Sequence, residues 1–260
     1  MLEAVIEAVE LAGEGILSVY HSDDFGVEQK EDNSPLTKAD KLAHNILVEK
    51  LEALDLGPVL SEEDANIPWE TRKSWDQYWL IDPLDGTKEF IKRNGEFTVN
   101  VALIRNHEAV FGVVYAPVKE ILYYGEKGKG AFKRCGKGEV KPIKPAALPT
   151  VDGQWRIVGS RSHTSADFDA FMAGFSNADL VSVGSSLKLC MVAEGSADLY
   201  PRLIPTSEWD TAAAQAVVEA AGGIVLNWET KETLRYNTKD NILNPYFVVA
   251  AEKSDLWLNK

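Results

Sequence analysis

Asp76-Gln-Tyr-Trp-Leu-Ile-Asp82-Pro-Leu-Asp85-Gly86-Thr87 holds the most informative juxtaposition in the chain. Its apolar run predicts a buried strand ending near Asp82, and two carboxylates three residues apart follow directly. Pro83 fixes one backbone angle between them. Gly86 permits a tight turn that other residues resist. Such a turn can aim both carboxylates and the Leu84 carbonyl at one point, and Mg²⁺ takes oxygen ligands of this kind. Asp and Gly are also ordinary turn residues. On these residues alone a plain loop with a capping Asp stands level with a metal site.

Further acids lie on both sides. Ser61-Glu62-Glu63-Asp64 follows the apolar Pro58-Val59-Leu60. A run of acids is ordinarily a solvated face, but a carboxylate at a strand end is well placed to enter a site. Asp210 stands before Thr211-Ala-Ala-Ala, where the plain reading is a helix N-cap and the other a metal ligand. Asp40, in Thr37-x-x-Asp40, fits the last position of a capping box. In the second half Gly184-Ser185-Ser186-Leu187-Lys188 joins a predicted strand to a predicted helix, whose start could receive phosphate or be an ordinary Ser cap. Gly159-Ser-Arg-Ser-His163 ends another strand, and Arg202 is a further candidate cation.

Around these residues the pattern predicts helices over 2–20 and from Thr37 to about Leu54. A β-meander follows, with strands at 76–82, 97–104, 110–115, 120–125 and 130–133. Pro142, Pro145 and Pro149 mark a crossing between an N-terminal α+β domain (1–145) and a C-terminal α/β domain (146–260). In the latter, short strands and helices alternate, as in an α/β arrangement. The chain has 260 residues, of which 45% are hydrophobic and 26% charged, the mix of a soluble folded protein. Its formal charge of −13 argues against nucleic acid as a partner. Two cysteines form no framework, which fits a reducing cytoplasm. Met1-Leu-Glu-Ala-Val-Ile-Glu has no basic n-region, so no secretory leader is expected. No apolar run is long enough for a membrane span. A cytoplasmic location is expected, with peripheral attachment to the inner membrane left open. Oligomeric state is not legible.

The order Ser-Glu-Glu, Asp-Pro-Leu-Asp-Gly-Thr, Trp-Asp-Thr-Ala-Ala…Glu-Ala-Ala-Gly-Gly resembles the inositol monophosphatase superfamily from about Thr37 to Ala250. Within it, Val158-Gly-Ser-Arg-Ser-His163, Gly184-Ser-Ser-Leu-Lys188 and Ala197-Asp-Leu-Tyr-Pro-Arg202 are similar to the 3'(2'),5'-bisphosphate nucleotidases. The resemblance implies a five-layered α-β-α-β-α sandwich, with a first sheet that is antiparallel and a second that is mixed. It implies two or three Mg²⁺ ions held by Glu62, Asp82, the Leu84 carbonyl, Asp85 and Asp210, and inhibition by Li⁺. Thr87 and Asp40 match the pair that orients and deprotonates the attacking water. Glu63 matches an acid beside a further, weaker metal. Gly86 and Thr87 would offer backbone N–H groups to the phosphate. His163, Ser185, Lys188 and Arg202 match contacts to the nucleotide and its second phosphate. The implied reaction converts adenosine 3',5'-bisphosphate (PAP) to AMP and phosphate, a step attached to sulfate assimilation. The sulfated analogue PAPS, giving APS, is left open as a second substrate.

Three other readings compete. An inositol monophosphate or sugar phosphate would need no second cationic pocket, so Lys188 argues against it. A haloacid-dehalogenase-type phosphatase uses Asp-x-Asp, one residue shorter than the spacing here. A metal-dependent nucleotide sensor without turnover would not require the intact set of catalytic positions.

Overall fold

The computed structural model describes residues 1–29, 35–159 and 165–260. Val5, Ala8, Val9, Ala12 and Ile16 recur at helical spacing and are fully buried, making one face of α1 (Leu2–Tyr20). The helix runs on through Gly13 and Gly15, which local propensity disfavours. A short antiparallel ribbon, β1 (Glu28–Gln29) with β2 (Pro35–Leu36), leads to α2 (Lys38–Glu52). β3 (Val59–Ser61) and the short α3 (Trp69–Arg72) precede β4 (Gln77–Asp85). After α4 (Thr87–Ile91) come β5 (Thr98–Arg105), β6 (Glu108–Ala116), β7 (Ile121–Glu126), β8 (Gly130–Cys135) and β9 (Lys141–Ile143).

These strands form a seven-stranded sheet in the order β3-β4-β5-β6-β7-β8-β9. It is antiparallel except at its edge, where β3 runs parallel to β4, a departure from the purely antiparallel sheet expected. The parallel pair arises because the connection through α3 crosses over rather than turning back. Pro142, expected in the crossing, lies in the edge strand β9, where a missing N–H disrupts little. The meander stands as predicted, its first hairpin turning at Asn106-His107.

The second half gives β10 (Trp155–Gly159), α5 (Ala166–Ala173), β11 (Ala178–Ser182), α6 (Leu187–Ala193), β12 (Leu199–Arg202), α7 (Ala212–Ala220), β13 (Ile224–Asn227), β14 (Phe247–Ala250) and α8 (Asp255–Leu258). Its five-stranded sheet has the order β11-β10-β12-β14-β13 and is mixed, as expected.

Strand alternation then sorts the side chains into layers. Trp79, Ile81, Val101 and Val113 leave one face of the first sheet and pack on α1 and α2. Leu80, Ala102, Ile104 and Val114 leave the other, meeting α6, α7 and the inner face of the second sheet. The outer face of that sheet, including Trp155, Leu199 and Val248, is covered by Phe171 of α5 and Trp257 of α8. The result is an α-β-α-β-α sandwich. α7 lies against β6 so closely that a Cβ at Gly112 would sit 2.1 Å from the Ala213 carbonyl oxygen. No helix among the described residues is long and apolar enough to cross a membrane.

Candidate active site

β4 does not end at Asp82, as its apolar run suggested, but continues to Asp85 with a bulge. Asp82 is the register partner of Asn100 and Asp85 that of Thr98, so two residues on β4 oppose one on β5. Pro83, lacking an N–H, is well tolerated inside such a bulge. Gly86 follows at φ 96°, a left-handed conformation that starts α4 one residue later. The bulge brings Asp82, Leu84 and Asp85 to a single cleft, which Glu62, Thr87 and Asp210 also line.

Glu62 arrives because β3 lies parallel beside β4, and its N–H extends that ladder to the Ile81 carbonyl at 3.2 Å. Asp210 comes from a 3-10 turn, Glu208–Asp210, ahead of α7. It does not cap α7, whose N-cap is Thr211; instead its Oδ2 accepts the Ser207 N–H at 2.9 Å. The carboxylates of Glu62, Asp82 and Asp210 each offer an oxygen within 4.8 Å of the others.

Burial is the main force on these groups. It pushes the Asp82 carboxyl well above the ordinary range, with Glu62 and Asp85 adding repulsion. Asp85 is raised to about 6 and Asp210 to about 8, again chiefly by burial. Lys188 and the Ser186 N–H act against the rise at Asp85. Asp82 Oδ1 accepts the Leu84 N–H at 3.0 Å, while its buried Oδ2 meets no hydrogen-bond donor among the described residues. An orphaned carboxylate oxygen aimed among other acids fits a hard cation. The donor set therefore suits Mg²⁺.

Asp40 closes a capping box and also meets Thr87. Its Oδ2 accepts the Thr37 N–H at 2.7 Å and the Thr37 hydroxyl at 2.5 Å, closing the capping box of α2. Its Oδ1 lies 3.2 Å from Thr87 Oγ1, which donates to it or to the Leu84 carbonyl at 3.4 Å. Glu63, next in sequence to Glu62, is half-buried and lies outside the lining of the cleft.

A second pocket adjoins the first and shares Asp85 and Asp210 with it. Ser185, Lys188, Tyr200 and Arg202 are among its other walls. Lys188 is 7% exposed, donates to the Ser185 carbonyl at 2.6 Å and stands 5.8 Å from the Tyr200 ring centroid. Burial lowers its pKa to about 8, with Asp85 acting in the opposite direction. Ser185 sits at φ 54°. Its Oγ and the Arg202 Nε are buried without a hydrogen-bond partner among the described residues. His163 lies outside the described residues. Sequence reasoning missed Tyr200 as a wall of this pocket, and also Ser186, whose N–H donates to Asp85 Oδ2 at 2.5 Å. Both residues lie inside the quoted motifs, 184–188 and 197–202, but neither side chain stands out there beside Lys188 and Arg202.

An acid-lined cleft on this five-layered fold defines a class, and the chain matches the inositol monophosphatase family over residues 1–258. The protein belongs to that family. It is 48% identical over 252 residues to the 3'(2'),5'-bisphosphate nucleotidase CysQ of Salmonella typhimurium, covering 96% of this chain and 99% of that one. To the CysQ of Escherichia coli K12 it is 46% identical, with the same coverage. Among solved structures, CysQ from Bacteroides thetaiotaomicron superimposes with a TM-score of 0.85 at 44% identity, covering 96% of this chain and 97% of that one. The IMPase of Thermotoga maritima, at 23% identity, shares the fold with a TM-score of 0.75 and coverage of 96% and 91%.

Proposed function

We propose that this chain is a Mg²⁺-dependent 3'(2'),5'-bisphosphate nucleotidase that converts adenosine 3',5'-bisphosphate to AMP and phosphate. The observation that carries this reading is the cationic pocket around Lys188, which shares Asp85 and Asp210 with the acidic cleft. A ligand with two phosphates has two adjoining places to lie, one beside the acids and one beside the ammonium. The identity to curated CysQ nucleotidases supports the same reading.

Glu62, Asp82, the Leu84 carbonyl, Asp85 and Asp210 would hold the Mg²⁺. When bound, Mg²⁺ supplies the positive charge that offsets the acids and the phosphate dianion, and makes water a better nucleophile. The chain's own part is positioning. Asp40 Oδ1 accepts the Thr87 hydroxyl proton, which turns a lone pair of Thr87 Oγ1 toward the cleft to orient a water. The proton that this water loses passes through Thr87 Oγ1 to Asp40. Water oxygen bonds to phosphorus as the bond to the 3'-oxygen breaks; that oxygen takes a proton from solvent water to become the AMP hydroxyl, and Asp40 returns its proton to solvent. Glu63 is read as an acid beside a further metal. Ser185, Lys188 and Arg202 hold the 5'-phosphate away from the reacting centre, and the same pocket would accept the sulfated nucleotide.

Phosphate release from adenosine 3',5'-bisphosphate, inositol 1-phosphate and AMP tests the reading, with Mg²⁺, with EDTA and with Li⁺. Release from the bisphosphate should be fast, lost in EDTA and inhibited by Li⁺. Asp85→Asn should lower it at least about 100-fold through the lost carboxylate. Lys188→Ala should lower kcat/KM for the bisphosphate about 10- to 100-fold, the value of one charge-assisted hydrogen bond, and leave inositol 1-phosphate little changed. Equal release from inositol 1-phosphate by the native chain would overturn the substrate assignment and keep the metal site.

A further inference from the structure

Thr98 and Asn100 point from β5 into the layer between the two sheets, on the face that also carries Ala102 and Ile104. Polar side chains there are costly unless fully hydrogen-bonded. Together with Ser186 they are 0%, 1% and 2% exposed, and they satisfy one another. Asn100 Nδ2 donates to Thr98 Oγ1 at 3.2 Å, and Ser186 Oγ donates to Asn100 Oδ1 at 2.7 Å. Ser186 has then used its only proton, so Thr98 Oγ1 donates to Ser186 Oγ at 2.8 Å. The three bonds close a ring in which every side chain gives once and accepts once, an arrangement that reinforces itself.

The position of the ring matters more than its stability. Thr98 is the register partner of Asp85, and Asn100 that of Asp82, so the two residues stand on either side of the bulge that shapes the cleft. Ser186 links to the same bulge a second time through its N–H to Asp85 Oδ2. It is also the N-cap of α6, whose second residue is Lys188. One small set of bonds thus joins the bulge, the orientation of Asp85 and the segment that carries the cationic pocket.

We infer that Thr98, Asn100 and Ser186 are positioning residues, which hold Asp85 toward the cleft and Lys188 toward the neighbouring pocket at a fixed separation. This rests on the reading of the cleft as a metal site given above. None of the three lines the acidic cleft, and only Ser186 reaches the neighbouring pocket. They act through Asp85 and through the start of α6.

Full-length Thr98→Val and Ser186→Ala remove one hydroxyl each with little change of volume, and Thr98→Ser keeps the hydroxyl. Two readouts are taken. One is the Mg²⁺ concentration giving half of the Mg²⁺-induced rise in Tm, measured without substrate. The other is kcat and KM for adenosine 3',5'-bisphosphate and inositol 1-phosphate. In Thr98→Val and Ser186→Ala, kcat should fall about tenfold, as expected for one lost buried hydrogen bond. Their Mg²⁺ midpoint should move several-fold upward, and Thr98→Ser should restore both. A lowered Tm with native kcat and Mg²⁺ midpoint would overturn the inference, leaving the ring as core packing only. Failure of both variants to fold while Thr98→Ser folds would overturn it as well, by making the ring a condition of folding. A shifted midpoint in a family of proteins inactive on the bisphosphate would uphold the ring and sink the substrate assignment.

Discussion

Lys188 stands at the point where burial and charge oppose each other. Loss of water lowers its pKa to about 8, and Asp85 partly restores it. The ammonium is thus half-neutral near that pH, almost fully charged well below it and almost fully neutral well above it. If it holds a second phosphate, selectivity should follow the same curve. The ratio of kcat/KM for adenosine 3',5'-bisphosphate to that for inositol 1-phosphate should fall as pH rises from about 7 to about 9.5. In Lys188→Ala the ratio should be low and flat across that range. Asp40 shows how much of a residue's role its neighbours in sequence reveal. Its capping box with Thr37 was legible, because both partners lie within one helical turn. Its second oxygen faces Thr87, 47 positions away, and only the family pattern suggested that pairing. The ring partner Ser186 was illegible for the same reason. It lies 88 residues from Thr98 and 86 from Asn100.

At the scale of elements, the predicted helices and the meander match the observed ones because period and turn residues are local signals. The misses share a cause. Asp, Pro and Gly predict a turn after Asp82, whereas the sheet absorbs Pro83 and Leu84 in a bulge and turns only at Gly86. β9 was read as a linker because Pro142 argues against a strand unless an edge is available. Two polar residues on the inward face of β5 were the one local hint of the ring, and alternation alone gave no reason to single them out. Packing of α7 on β6 makes a firm prediction at this scale. Gly112→Ala would drive a methyl group into the Ala213 backbone. The variant should lose about 3 kcal/mol or more of stability, seen as a lower urea midpoint at unchanged m. Because α7 follows Asp210 directly, the variant should also bind Mg²⁺ more weakly.

For the molecule as a whole, the acidic cleft links stability to pH and metal. Carboxylates of the unfolded chain release protons near pH 4. Asp85 keeps its proton to about 6 and Asp210 to about 8 in the fold. Between those values the folded state binds more protons than the unfolded one, so this contribution to stability falls as pH rises. In EDTA, Tm should drop between about pH 5 and about pH 8. Mg²⁺ should raise Tm more at the higher pH, where it no longer competes with protons. Asp210→Asn should flatten both trends in scanning calorimetry. A net charge of −13 would by itself repel a bisphosphate. The cationic pocket, and a cation held by the acids, would reverse that sign only locally.

Sequence alone determined the longer helices, most strand cores and, through the order of its motifs, the family. Those properties depend on short-range periodicity, on the chemistry of single side chains and on turn residues within a few positions. Tertiary structure decided which carboxylates share a cleft, that Asp82 has an orphaned oxygen and that Ser186 closes a ring with β5. It also decided that the cleft and the Lys188 pocket have two walls in common. Each of these depends on groups far apart in the chain, and it exists only once the layers have packed.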